Sequence, residues 1–260
     1  MFQEIQVQCA LEKEIQPDNT SVISIDAYDG CQLQCPYCFQ MNNKEWSRNI
    51  YIRTNIADVL QGELQGLKNQ DEDLYIGSLS DPYMDIEKEY GLTRSILEVL
   101  KNTSHKVFIT TKAVNGLILR DVELLQEFKQ KPVILIGLSH MEEAGKGAVH
   151  HNIHIANQLY KSGMDVRIFI TPVLPYIMNL DEMIAAVHPE IRIFLDKLRV
   201  FEKGNQKQKL YDWVIREYPK YAREYFEILF EGDETYYFNL QKKYQAEERI
   251  TFMSELWDEK

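Results

Sequence analysis

From residue 20 to about residue 200, short β-branched runs alternate with longer amphipathic stretches, and this alternation restricts the fold more than any other feature of the chain. A strand followed by a helix, repeated, builds a parallel sheet with helices on its faces. The strand candidates are SVISIDA (21–27), DLYIGS (73–78), KVFITT (106–111), PVILIGLS (132–139), DVRIFIT (165–171) and DKLRVF (196–201). Helical periodicity is predicted at about 53–68, 91–102, 117–130, 147–162 and 179–187. Nearly continuous apolar runs such as VILIGL suit a sheet buried on both faces, and six βα units fall short of the eight that close a barrel. The expectation is an α/β fold, a partial (β/α)6 barrel over residues 20–204. An N-terminal extension (1–19) precedes it, and a Tyr-, Phe- and charge-rich helical extension (205–260) packs on it.

A chain of 260 residues with 45% hydrophobic content can bury the core that one such domain needs. The opening MFQEIQVQCALEKEIQ carries acids and no apolar h-region, and no apolar run approaches the roughly 20 residues of a membrane span. The expectation is a cytoplasmic protein with no membrane partner. A formal net charge of −11 disfavours a general nucleic-acid binder, because duplex affinity comes largely from Lys and Arg neutralising phosphates. The most basic stretch, DKLRVFEKGNQKQK, carries Lys197, Arg199, Lys203, Lys207 and Lys209; it reads as a local patch or as a solvated turn and helix start.

Three of the four cysteines, Cys31, Cys35 and Cys38, fall within YDGCQLQCPYCFQ (28–40), and only Cys9 lies elsewhere. Spacing this tight rules out a disulfide framework and implies a reducing compartment. Asp29-Gly30 supplies a turn just after the first strand candidate, and parallel α/β folds carry their chemistry beyond the carboxyl ends of their strands. Three thiolates at C-x-x-x-C-x-x-C could bind zinc or an iron–sulfur cluster. Structural zinc asks for four closed ligands, usually in separated pairs. Iron–sulfur clusters take closely spaced cysteines, and a missing fourth thiolate leaves one iron open to a non-protein ligand, so the spacing favours iron–sulfur.

CQLQCPYC, with an aromatic residue before its last cysteine, resembles the signature of radical S-adenosylmethionine (SAM) enzymes, whose partial βα barrel would cover about residues 20–200. The resemblance implies that Cys31, Cys35 and Cys38 each ligate an iron of a 4Fe-4S cluster and that SAM chelates the fourth through its amino and carboxylate groups. It also implies reductive SAM cleavage, a deoxyadenosyl radical that abstracts hydrogen from a substrate, and a reductant partner such as flavodoxin or ferredoxin. GSLSDPYMDIEKEYGLTRSILEVL, FITTK and GMDVRIFITPVLP together resemble the spore photoproduct lyase-like branch. By that resemblance Ser80 helps position SAM and Lys112 neutralises its carboxylate. Tyr37 and the backbone from Ile170 to Val173 lie near the adenine, and Ser139 and His140 face the bound cofactor or substrate. The bland alternatives are an exposed strand-end cation at Lys112, a turn cap at Ser80-Asp81, and a structural turn at Ser139-His140.

The lyase pattern places a cysteine three residues before the Asp of its Ser-Asp pair, where this chain has Ser78. It places a tyrosine after the last cluster cysteine, where this chain has Phe39. A serine O–H bond is too strong to yield hydrogen to a carbon radical, and Phe39 has no hydroxyl, so photoproduct reversal is disfavoured. His150, His151 and His154 open an amphipathic helix without the Glu of a zincin motif, and read as surface residues or as a metal site. The leading expectation is a radical SAM enzyme consuming SAM as a co-substrate and acting on a small metabolite, nucleoside or peptide, with no catalytic residue assigned. A peptide substrate is weakened because neither a leader-binding domain nor a second cluster is visible. The alternatives are a photoproduct lyase-like repair enzyme and a non-catalytic iron–sulfur or zinc protein.

Overall fold

The computed structural model describes residues 1–15, 21–38, 40, 46, 48–67, 72–138, 148–200 and 205–253. They form two compact units: Met1–Leu33, Glu45–Ile136 and Ile155–Val166 make one; Gln34–Lys44, Gly137–His154 and Arg167–Lys260 make the other.

The first unit carries strands β1 (Phe2–Ile5), β2 (Glu12–Ile15), β3 (Ser21–Ile25), β4 (Tyr28–Asp29), β5 (Ile50–Arg53), β6 (Leu74–Ile76), β7 (Val107–Thr111) and β8 (Val133–Gly137). β3, β6, β7 and β8 are parallel neighbours in that order, and β2 lies antiparallel against β3. A small separate sheet places β5 between β1, which it meets in parallel, and β4, which it meets antiparallel. All five positions of β8 are buried, as expected of a strand covered on both faces. Ile25, Ile76, Ile109 and Ile134 on successive parallel strands are essentially inaccessible to solvent. Helix Leu92–Leu100 buries Leu92, Ile96, Leu97 and Leu100, an i, i+4, i+5, i+8 stripe that gives one face to the core.

The second unit carries β9 (Asp165–Ile170), β10 (Arg192–Leu195) and β11 (Ile250–Phe252), all parallel, with β10 central. Its helices include Leu180–Ala186, Gln206–Glu217 and Thr235–Tyr244, and a π-helical turn spans Glu227–Glu231. No helix among the described residues is long and apolar enough to cross a membrane.

The predicted strands hold except the sixth, which lies at 192–195 instead of 196–201. The chain leaves the sheet at Asp196 because side chains take the backbone donors there: Lys197 N–H donates to Asp196 Oδ1 at 2.9 Å and Leu198 N–H to the Tyr237 hydroxyl at 3.0 Å. Five strands went unanticipated, among them the two-residue β4 and the four-residue β5 of the small separate sheet. β1 and β2 are too polar to show as apolar runs, and β11 is a three-residue strand in a tail otherwise read as helical.

Two left-handed glycines bracket the loop after β6, and they differ in what surrounds them. A Cβ on Gly77 (φ 85°) would stand 2.4 Å from the Thr110 carbonyl oxygen and 2.6 Å from Pro82 Cδ. A Cβ on Gly91 (φ 61°) would meet nothing within 4 Å. Gly91→Ala is therefore expected to cost only the left-handed backbone, about 1 kcal/mol, and Gly77→Ala about 3 kcal/mol because backbone must also move. Urea unfolding of the two variants checks the order.

Candidate functional site

The carboxyl ends of β3, β6 and β7 are joined by side chains that satisfy neighbouring backbone. Buried Asp26, just past β3, accepts the Ser80 N–H at 3.2 Å, and the Ser80 hydroxyl donates to the Tyr28 carbonyl at 2.7 Å. Asp81 reaches from the β6 loop to the end of β7. Its carboxylate accepts from Tyr83 N at 2.9 Å, Thr111 Oγ1 at 2.8 Å, Lys112 N at 2.6 Å and Ala113 N at 3.2 Å. Burial pushes the Asp81 carboxyl above the ordinary carboxylate range, and these four donors oppose the shift. Lys112 is thus fixed at its backbone, directly after β7 and half-buried. Ser80-Asp81 stitches three strand ends, a larger role than capping one turn.

A second buried polar group lies below that turn. Glu87, fully buried, accepts the Tyr28 hydroxyl at 2.5 Å and Thr93 N at 2.9 Å on one oxygen, and Arg94 N at 3.3 Å and Arg120 Nη2 at 2.9 Å on the other. Arg120 also pairs with fully buried Asp121 at 2.9 Å, and Arg94 reaches Asp121 at 2.6 Å. The two carboxylates raise the Arg120 guanidinium above its ordinary value, and desolvation beside Glu87 pushes the Tyr28 phenol up, so Tyr28 stays a neutral donor. Glu87 was visible in the stretch DIEKEYG, but only as one acid among several.

The cysteine loop begins immediately beyond Tyr28. Gly30 has φ 101°, and a Cβ there would stand 2.3 Å from the Asn49 carbonyl oxygen, so no other residue can precede Cys31 without moving backbone. Gln32 then ties the loop to the segment before Glu87: its N–H meets Met84 Sδ at 3.0 Å, and its side-chain oxygen accepts Ile86 N at 3.2 Å. In the second unit, Cys38 N–H donates to the Cys35 carbonyl at 3.0 Å, closing a turn. The carbonyl of buried Tyr37 accepts the Gln206 side-chain amide at 2.8 Å. Nothing in the local pattern around Gln206 announces this contact.

All four cysteines are thiols outside any disulfide; Cys31, Cys35 and Cys38 are half-buried and Cys9 is exposed. Cys9 sits beside Glu63, which raises its thiol above the usual range. Among the described residues no three His, Cys, Asp or Glu side chains are grouped so as to hold a metal ion. The donor set still fits an iron–sulfur group in its chemistry: three reduced, partly accessible thiols in a loop whose backbone is fixed at Gly30, Gln32 and Tyr37.

In the second unit Ile170 and Val173 are buried and much of their backbone is engaged. Val173 N–H donates to the Asp196 carbonyl at 2.8 Å, Asp196 N–H to the Ile170 carbonyl at 3.2 Å, and the Tyr237 hydroxyl to the Val173 carbonyl at 3.1 Å. Ser139, His140 and Phe39 lie outside the described residues. Ser78 stands half-buried just after Gly77. His150 faces Glu182 at 3.3 Å, and His151 and His154 are exposed. In the basic stretch, Lys197 pairs with Glu234 at 3.2 Å and Arg199 with Asp196 at 2.6 Å.

No protein-family model matches the chain. An uncharacterized protein of Methanocaldococcus jannaschii is 27% identical over 177 residues, covering 64% of this chain and 65% of the relative. An uncharacterized protein of Mycobacterium tuberculosis is 23% identical over 231 residues, covering 80% and 67%. The chain therefore spans about two thirds of the length of the curated relatives it matches. Among solved structures, a spore photoproduct lyase double variant with bound AdoMet and dinucleoside spore photoproduct aligns over 85% of this chain and 77% of its own, at TM-score 0.53 and 13% identity. Spore photoproduct lyase complexed with dinucleoside spore photoproduct aligns over 89% and 80%, at TM-score 0.55 and 13% identity. At this identity the likeness shows the fold, an α/β architecture with a mostly parallel sheet of the partial-barrel kind expected from the sequence.

Removing Glu87 would take one of Arg120's two carboxylate partners and the acceptor of the Tyr28 hydroxyl, and breaking a buried ion pair from one side costs about 3–5 kcal/mol. Because Arg120 is partly exposed, Glu87→Ala is expected at the lower end, about 3 kcal/mol. Tyr28→Phe, which removes one of four donors to Glu87, is expected to cost about 1.5 kcal/mol. Denaturant unfolding of both single variants and the double variant checks this; the double should cost less than the sum.

Proposed function

We propose that this chain is a radical SAM enzyme that binds a 4Fe-4S cluster through Cys31, Cys35 and Cys38 and uses SAM as a co-substrate. The observation that carries the reading is the three-thiol loop at the carboxyl end of β3, held in a fold like that of spore photoproduct lyase. When bound, the cluster would supply an electron to the SAM sulfonium, giving methionine and a deoxyadenosyl radical that takes hydrogen from a substrate C–H bond. The protein's own part is to bind, orient and exclude water. Lys112, presented by the Asp81 clamp at the end of β7, neutralises the SAM carboxylate. Ser80 spends its proton on Tyr28, so its oxygen lone pairs are what it offers SAM. Tyr37, Ser139 and the segment Ile170 to Val173 complete the cofactor site. With Val173 N–H and both the Ile170 and Val173 carbonyls already engaged, that segment meets the adenine mainly through apolar side chains.

The substrate is a small metabolite, a nucleoside or a peptide, and a flavodoxin or ferredoxin in the cytoplasm supplies the electron. Photoproduct reversal is the weaker reading despite the shared fold, since Ser78 and Phe39 stand where a thiol and a phenol are needed.

Anaerobically reconstituted protein is expected to hold about four irons per chain. After reduction it should release deoxyadenosine and methionine from SAM in proportion to product, without repairing ultraviolet-damaged oligonucleotides. Replacing Cys31, Cys35 or Cys38 by Ala abolishes the iron, whereas Cys9→Ala keeps it. Lys112→Ala keeps the iron and weakens SAM binding by about tenfold or more, as loss of a charge-assisted hydrogen bond requires. A native protein that takes up iron but never cleaves SAM would falsify the enzyme reading.

A further inference from the structure

Gln206 is the first residue of helix Gln206–Glu217 and is fully buried. Its side-chain amide donates to the Tyr37 carbonyl at 2.8 Å and, at 3.4 Å, to the Arg199 carbonyl. The Tyr37 carbonyl and the Cys38 N–H belong to the same peptide group, and that N–H is bound to the Cys35 carbonyl at 3.0 Å. This peptide plane is therefore held at both ends, by Gln206 on its oxygen and by Cys35 on its nitrogen. A planar peptide fixed at both poles has no freedom to rotate, so the direction in which the chain enters Cys38 is set by Gln206. Burial adds to this: Tyr37 and Gln206 are both buried, and an unmet acceptor there would drive the plane to turn toward another donor.

We propose that Gln206 is a positioning residue for the cluster, acting through the Tyr37–Cys38 peptide to fix the Cys35–Cys38 turn and with it the electronic character of the bound group. The inference rests on the cluster reading above. Hydrogen bonding and backbone dipoles around cysteine ligands set the reduction potential of iron–sulfur groups, so a loosened peptide should be visible spectroscopically as well as in retention of iron.

The test uses the full chain, anaerobically reconstituted, as native protein, Gln206→Met and Leu210→Ala. Methionine matches the length of glutamine and suits a buried site but cannot donate. Leu210 is buried on the same helix and acts through packing alone, so its variant controls for a weakened helix. The expected result is that Gln206→Met releases iron to a chelator at least about fivefold faster than native and shows a shifted midpoint potential and altered EPR spectrum of the reduced cluster. Leu210→Ala should keep the native potential and spectrum even where its melting temperature falls further. Gln206→Met with native iron release, potential and spectrum overturns the assignment, as does Leu210→Ala reproducing the Gln206→Met changes. If Gln206→Met does not fold, Gln206→Glu, which turns an acceptor toward the Tyr37 carbonyl, takes its place with the same readouts. A native chain that takes up no iron defeats the cluster reading and this proposal together, whereas normal native loading with unchanged variants defeats the Gln206 assignment alone.

Discussion

The carboxylate of Glu87 is the interaction on which the first unit's functional end depends. Taking one ion out of water costs several kcal/mol even after relaxation. Four donors meet this one: a phenol, two backbone amides and a guanidinium. Hydrogen bonds to a charged group contribute about 1.5–3 kcal/mol each, so the group is offset but leaves little surplus. An apolar cluster of equal volume would hold the fold as well. The carboxylate adds direction: one oxygen holds both the Tyr28 hydroxyl and the Thr93 amide, and the other holds the Arg94 amide, so the ring is fixed against the start of helix Leu92–Leu100. The turn that leads into Cys31 starts from that ring.

The same logic repeats at Asp81 with backbone in place of a cation. A single buried carboxylate satisfies the amides of Lys112 and Ala113 and the hydroxyl of Thr111, groups that leave the sheet at the end of β7 and would otherwise need water. Strand ends in a parallel sheet expose such donors by construction. Here acids placed one to five residues beyond a strand absorb them: Asp26 directly after β3, Asp81 five residues after β6 and Asp196 directly after β10.

What could be read in advance divides along the same line. Five of the six expected strands were legible because buried faces show in the sequence, as a continuous apolar run in β8 and as alternation in β9, and the helices because one buried face repeats every three or four residues. The cysteine loop was legible because its spacing is local. Glu87, Asp121 and Gln206 were not, because a buried polar residue looks like an exposed one until its partners are known. Those partners lie tens of residues away, as with Tyr28 for Glu87, 59 positions apart. The sixth strand was misplaced for a related reason: DKLRVF alternates well enough, yet the hydroxyl of Tyr237, far along the chain, takes the amide that a sheet would have used. Even the basic stretch changes meaning, since Lys197 and Arg199 are spent on Glu234 and Asp196 and offer little charge to a polyanion.

The bond from Gln206 to the Tyr37 carbonyl spans 169 positions of sequence. Domains form from the amino end as the chain is made, at about 5–20 residues per second. The thiols of Cys31, Cys35 and Cys38 therefore emerge from the ribosome many seconds before the residue that closes their turn. Throughout that interval all three are already in the chain, yet the Tyr37–Cys38 peptide lacks its outer anchor. Whatever the finished Cys35–Cys38 turn holds can be seated on it only after the helix at 206–217 has been translated.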